Sequence, residues 1–170
     1  MTEVERAKKG DPEAFIRLID ANRDTLLRVA HGFFRREEDA ADAIQDAVLD
    51  AWEHLRELRN NRYFRTWLVR ILINDCIRIY RANRSCVFSE EEPERGEEAA
   101  DFADVEFRAL LGALPEDSRL IFQLFYGERF TVSEIASILN QNENTVKSRL
   151  RRGRERLRAS LGEGERRTAR

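Results

Sequence analysis

From residue 12 onward the apolar positions recur with the spacing of an α-helix. Phe15, Leu18, Ile19, Leu26, Leu27, Ala30 and Phe33 repeat with that period and predict one long helix. Asp11-Pro12 opens it, a side-chain cap followed by a proline whose missing amide costs nothing at the first helical position. Arg35 to Asp39 reads as a polar break. Ala40, Ile44, Ala47, Val48, Ala51, Trp52 and Leu55 then form a second apolar stripe, with Asp39, Asp42, Asp46, Asp50 and Glu53 off it. Leu58 to Arg62 reads as a short loop. A third helix follows over Tyr63 to Arg84, apolar at Phe64, Trp67, Leu68, Ile71, Leu72 and Ile79. Its polar stripe, Arg70, Asn74, Arg78 and Arg81, is spaced 4, 4 and 3 and so runs along one side.

Residues 86–104 break the pattern with Pro93, Gly96 and a dense acidic run, and read as a linker that is flexible or ordered only against a partner. Helical periodicity returns from Val105 to Leu114. Pro115 opens another helix, with Leu120, Ile121, Leu124 and Phe125 inward and Gly127 at its end. Thr131-Val132-Ser133-Glu134 is a capping box, in which the Thr oxygen and the Glu carboxylate each satisfy an orphan amide. It predicts a short helix over Val132 to Leu139. Asn140-Gln141-Asn142 is turn chemistry, since Asn tolerates the left-handed conformation. The last helix runs to about Leu161. Val146, Leu150, Leu157 and Leu161 face inward with Gly153; Lys147, Ser148, Arg149, Arg151, Arg152, Arg154 and Arg158 face elsewhere. The expected fold is therefore all-α, with a helical bundle over 1–85, an acidic linker over 86–104 and a helix-turn-helix domain over 105–170.

Composition supports that reading. The chain has 170 residues, 36% of them charged, with only 8 Gly and 3 Pro, which favours long amphipathic helices over sheets. No apolar run approaches the roughly 18 residues needed to cross a bilayer. The first residues carry no apolar signal core, so a cytoplasmic location is expected. The net charge of −2 conceals alternating blocks. Residues 37–57 hold eight acids and one Arg, and residues 59–84 hold seven Arg and one acid. Residues 86–104 again hold eight acids and one Arg, and residues 144–158 hold Lys147, six Arg and Glu155. Basic blocks attract polyanions; acidic blocks attract basic protein surfaces or shield a basic one.

A short capped helix, a tight turn and a longer basic helix form a helix-turn-helix, whose second helix enters the major groove of DNA. Thr145 and Ser148 are short polar groups near its start, suited to phosphate or base contacts. The third helix combines arginines with Phe64, Trp67 and Tyr80, as single-stranded or melted DNA would require. By their helical spacing, however, Phe64 and Trp67 read first as core. The chemistry of catalysis is missing. Cys76 and Cys86 form no zinc-ligand spacing, and His31 and His54 sit on different predicted helices outside any ligand-spaced pair. No catalytic residue, metal or cofactor is expected.

Three stretches carry a resemblance: DAADAIQDAVLDAW (39–52), FRTWLVRILINDCIRI (64–79) and LPEDSRLIFQLFYGERFTVSEIASILNQNENTVKSRLRRGRERLR (114–158). In order and spacing the chain resembles bacterial RNA polymerase sigma factors of the extracytoplasmic-function group of the sigma-70 family. The resemblance implies a dissociable polymerase subunit that directs the core enzyme to promoters of a stress or envelope regulon and helps melt them. It implies that Asp39, Asp42, Gln45 and Asp46 dock on the polymerase coiled-coil clamp. Asn60, Asn61 and Arg62 would fall in the loop that reads the −10 element and holds a flipped base, with Arg70, Asn74 and Arg78 on the adjoining helix. Thr145, Lys147, Ser148, Arg149, Arg151 and Arg152 would read the −35 element as duplex. The linker would thread toward the polymerase channels, its acids mimicking nucleic acid; a solvated tether is the plainer alternative. The family also implies an anti-sigma factor as partner. Asn140, Gln141 and Asn144 depart from the family pattern, which often has Gly, an apolar residue and Gly there. The rival reading is a free-standing helix-turn-helix regulator. It accounts for residues 105–161 but not for FRTWL, the Arg stripe or the acidic helix.

Overall fold

A computed structural model describes residues 1–85 and 102–168. Their regular elements are all helical, and packing divides the chain into two units, Met1–Arg95 and Gly96–Arg170.

The first unit holds α1 (Glu3–Lys8), α2 (Pro12–Phe33), α3 (Glu37–His54) and α4 (Phe64–Ser85). Apolar spacing does not announce α1, because six residues are too few to display a period. Its signal is polar. Thr2 Oγ1 accepts from the Glu5 amide at 3.2 Å, and the Glu5 carboxylate accepts from the Thr2 amide at 2.9 Å. Val4 and Ala7 then bury its inner side, and α1 packs on α2. α2 starts where the sequence places it, with Asp11 Oδ1 accepting from the Ala14 amide at 3.1 Å. α3 starts earlier than expected. Glu37, Glu38 and Asp39 form its first turn rather than a break, where negative side chains meet the positive end of the helix dipole.

α3 packs on both α2 and α4. Its buried line is Ala40, Ala43, Ala47, Ala51 and Leu55, so Ala43 belongs to the stripe. Ile44 and Val48 are half-buried at its flanks. Alanines let two helices approach closely, and larger side chains fill the margins. Trp52 is 38% exposed and leans on Phe15, with ring centroids 4.9 Å apart. From α4 come Phe64, Leu68, Val69, Leu72, Ile73 and Cys76, all buried. Each large aliphatic side chain among them contributes about 2–3 kcal/mol of hydrophobic stabilisation. The connection from α3 to α4 is ordered into two 3₁₀ turns, Leu55–Glu57 and Asn61–Tyr63.

The second unit holds α5 (Phe102–Gly112), α6 (Glu116–Phe122), α7 (Val132–Leu139) and α8 (Glu143–Thr168). Most of the expected linker, residues 86–101 with Cys86, lies outside the described residues; Phe102, Ala103 and Asp104, its expected end, open α5. α6 ends in a π turn over Gln123–Gly127, where the Glu128 amide donates to the Gln123 carbonyl at 3.0 Å. Ile121, Phe122 and Leu124 are buried there, with Leu120 and Phe125 half-buried. Leu114, Phe130, Ile135, Ile138, Val146 and Leu150 complete the core. The inward face of α8 is shorter than its apolar pattern suggests: Gly153 is buried, Leu157 half-buried and Leu161 61% exposed. A helix of 26 residues outruns neighbours of seven and eight.

Candidate nucleic-acid interface

In the second unit, α7, its turn and α8 form the helix-turn-helix. Thr131 Oγ1 accepts from the Glu134 amide at 3.2 Å, and the Glu134 carboxylate accepts from the Thr131 amide at 2.8 Å. Asn140 takes the left-handed conformation at φ 50° and ψ 49°. Asn142 Oδ1 accepts from the Asn144 amide at 2.8 Å and starts α8. These polar bonds fix both ends of the turn, and buried Val146 and Leu150 fix the rotation of α8. Lys147, Arg151 and Arg152 are exposed as a result, with Thr145 and Ser148 half-buried beside them.

The basic block that looks uniform along the chain is divided by the fold. Arg149 has a side chain only 25% exposed; its Nε lies 3.5 Å from Asp117 Oδ2, and its Nη1 donates to Gln141 Oε1 at 3.3 Å. Arg154 donates to the Tyr126 hydroxyl at 3.2 Å and Arg156 to the Ala113 carbonyl at 3.4 Å. Three arginines are thus engaged within the unit. Lys147, Arg151 and Arg152 point their charge at solvent, the arrangement that neutralises phosphates and releases counterions.

In the first unit the stripe on α4 is intact: Arg70, Asn74, Arg78 and Arg81 are all exposed. Its charge is not all outward. Arg78 Nη2 donates to Asp46 Oδ2 on α3 at 3.0 Å and to Asp75 Oδ1 at 3.1 Å. Two residues expected to meet different partners, Asp46 and Arg78, therefore meet each other. Asp39 and Asp46 are half-buried, while Asp42 and Gln45 are exposed. Asp75 was not among the expected site residues; its only signal is an acid inside a basic block. Its side chain is 7% exposed and its Oδ2 has no hydrogen-bond partner. Burial pushes its carboxyl above the ordinary value, against the opposing pull of Arg78.

The loop before α4 is held by side chains. Asn60 Oδ1 accepts from the Arg62 amide at 3.0 Å. Asn61 Oδ1 accepts from the Lys8 ammonium at 2.6 Å. Arg62 is exposed. Phe64 is buried beside half-buried Trp67, ring centroids 6.0 Å apart, so Phe64 is core rather than a platform for bases; Tyr80 is exposed. His54 closes α3, its Nδ1 2.9 Å from the Asp50 carbonyl, a contact that raises its pKa. Burial pushes the Cys76 thiol up to about 12, which leaves it inert. Among the described residues no group of His, Cys, Asp and Glu is placed to hold a metal ion. No described helix is long and apolar enough to cross a membrane.

Comparison with known proteins bears on both units. The family described as Sigma-70 region 2 matches residues 18–86, and Sigma-70, region 4 matches residues 104–157. The ECF RNA polymerase sigma factor SigW of Bacillus subtilis is 28% identical over 93% of this chain and 94% of its own length. The ECF RNA polymerase sigma factor SigM of Mycobacterium tuberculosis is 31% identical over 90% of this chain and 80% of its own. Among solved structures, the sigma factor RpoE in complex with the anti-sigma factor NepR from Bartonella quintana superposes with a TM-score of 0.67 at 25% identity, covering 87% of this chain and 96% of that one.

Proposed function

Because this chain belongs to the extracytoplasmic-function group of the sigma-70 family and is an alternative sigma factor, we propose that it binds bacterial core RNA polymerase and directs it to promoters carrying −10 and −35 elements. The observation that carries this reading is the presence of both regions, in order, on one chain: 18–86 and 104–157. A free-standing helix-turn-helix regulator needs only the second. As a transcription initiation factor the chain leaves bond-making to the polymerase and supplies recognition.

The division of labour follows from exposure and charge. Asp39, Asp42, Gln45 and Asp46 on α3 form the docking face for a basic coiled coil. Asn60, Asn61 and Arg62 hold an unstacked base of the −10 element, with Arg70, Asn74 and Arg78 along the backbone beside it. Thr145, Lys147, Ser148, Arg149, Arg151 and Arg152 address the −35 duplex. Within that set the exposed Lys147, Arg151 and Arg152 contact DNA, and the tethered Arg149 holds α8 on Asp117 and the turn. The resemblance assigns the acidic segment before α5, residues 86–101, a path toward the polymerase channels, with its acids standing in for nucleic acid. An anti-sigma factor is proposed as regulator by analogy with the NepR-bound relative. The protein acts in the cytoplasm, where polymerase works, and its regulon is assigned to stress or envelope functions by family membership.

The test is competition for core. Labelled protein is mixed with bacterial core RNA polymerase while a housekeeping sigma factor is titrated in. Mutual displacement supports the reading. Failure to bind core, combined with salt-sensitive binding of the chain alone to duplex DNA, overturns it in favour of an autonomous regulator.

A further inference from the structure

Lys8 is the last residue of α1, and it reaches 53 positions along the chain to Asn61. Its ammonium donates to the backbone carbonyl of Leu58 and to Asn61 Oδ1, the latter at 2.6 Å. Both acceptors lie in the connection between α3 and α4. α1 is a firm base for this reach: its cap is closed by Thr2 and Glu5, Val4 and Ala7 are buried, and it packs on α2 and on the 3₁₀ turn Leu55–Glu57.

The chemistry of the contact fixes a direction. An ammonium only donates, so the amide oxygen of Asn61 must be the atom that faces it. The amide NH2 is then turned to the other side. The neighbouring Asn60 has its oxygen committed in the same way, to the Arg62 amide at 3.0 Å. Arg62, a pure donor, is exposed next to them. Both asparagine side chains therefore have their oxygens engaged within the chain, which leaves their NH2 groups and the Arg62 guanidinium to donate.

We propose that Lys8 is a positioning residue of the base-reading loop: it holds the Asn61 amide with its oxygen on Lys8 and its NH2 left to donate, so that the loop, with the donor Arg62 beside it, selects an unstacked base with two neighbouring acceptors, cytosine or guanine, over adenine, whose pairing-edge and Hoogsteen acceptors each flank an amino donor. The inference rests on the reading that residues 60–62 contact the −10 element. Lys8 itself touches no DNA. It acts by removing the alternative amide orientation, in which the Asn61 oxygen would face the base and accept from adenine N6.

Holoenzyme reconstituted from core RNA polymerase and the full chain is given a pool of templates randomised over the −10 element, each with a downstream barcode that identifies its upstream sequence, and the barcodes in the run-off transcripts are sequenced. Wild type is expected to select against adenine at one −10 position. Asn61→Ala should relax that selection roughly tenfold, the scale of one good base contact. Lys8→Met should relax it as far, with no additional change in the double variant, while Lys8→Arg should retain most of it. Asn61→Asp keeps the partner of Lys8 but turns donors into acceptors, and should shift selection toward adenine. If Asn61→Ala relaxes the selection and Lys8→Met does not, the positioning role is overturned while the loop reading stands. If Asn61→Asp fails to move selection toward adenine, the donor-outward geometry is overturned. If Asn61→Ala leaves the profile unchanged, the inference is overturned; the loop reading falls with it only if Asn60→Ala and Arg62→Ala leave the profile unchanged as well.

Discussion

At Arg129 the backbone adopts φ 59°, a left-handed conformation in which the β-carbon crowds the following carbonyl. Nothing in an arginine side chain marks such a position, and the sequence does not reveal it. Asn140, at φ 50°, was legible because asparagine is the residue that tolerates this region. Replacing Arg129 by Gly should raise the stability of the second unit by about 1 kcal/mol, read as a higher urea midpoint. Asp75 makes a pH argument. Its carboxyl is raised above the ordinary value of 3.8 by burial, with Arg78 opposing. Between the ordinary and raised values the folded chain holds a proton that the unfolded chain has lost, so stability falls as pH rises through that interval. Asp75→Asn cannot ionise. Relative to wild type it should therefore gain stability as pH rises above the ordinary carboxylate value of 3.8 and through the raised one. A difference that stays constant across that range would refute the assignment.

Element packing turns on which residues are small. Gly153 sits in the middle of α8, where replacing glycine by alanine ordinarily stabilises a helix by about 1 kcal/mol. Here a β-carbon would stand 2.3 Å from Phe122 Cε2 and 3.3 Å from Leu114 Cδ2. Phe122 is buried and has little room to retreat, so Gly153→Ala should destabilise by about 1–3 kcal/mol. Gly162, on the same helix, has nothing within 4 Å of the equivalent position. Gly162→Ala should be neutral or mildly stabilising, and the pair of denaturation curves separates packing from propensity. The apolar period placed Gly153 on the inward face but could not show that a ring lies against it. The same period misjudged Leu161, because it reports the face a residue occupies and not where the neighbouring helices stop.

On the scale of the molecule, charge is organised into surfaces that partly cancel. The acidic block of α3 and the basic block of α4 pack side by side and exchange an ion pair at Asp46–Arg78. The basic block of α8 spends Arg149, Arg154 and Arg156 on its own unit and keeps Lys147, Arg151 and Arg152 outward. The proposed docking face on α3 and the proposed −35 surface on α8 therefore draw on residues of different units. Asp42→Asn, which leaves the Asp46–Arg78 pair intact, should weaken competition for core polymerase by about 0.5 kcal/mol, the scale of one exposed ion pair. Arg151→Ala with Arg152→Ala should leave that competition unchanged and weaken promoter binding, with a shallower dependence on salt. A loss of core binding in the arginine pair would show that the two tasks are not separable in this way.

Periodicity, caps and charge blocks were local quantities, and the sequence alone determined what depends on them: the all-α class, the boundaries of α2 and α7, the capping box and left-handed turn, and the basic character of α8. A hydrogen bond between residues three apart is written in their identities. Tertiary structure alone decided which charges remain available, because that depends on partners distant in sequence. Asp46 and Arg78 are 32 residues apart and Lys8 and Asn61 are 53 apart. Only the packing of α1 and α3 against the rest of the first unit brings them within reach, and it is that closure which ties the loop between α3 and α4 to α1.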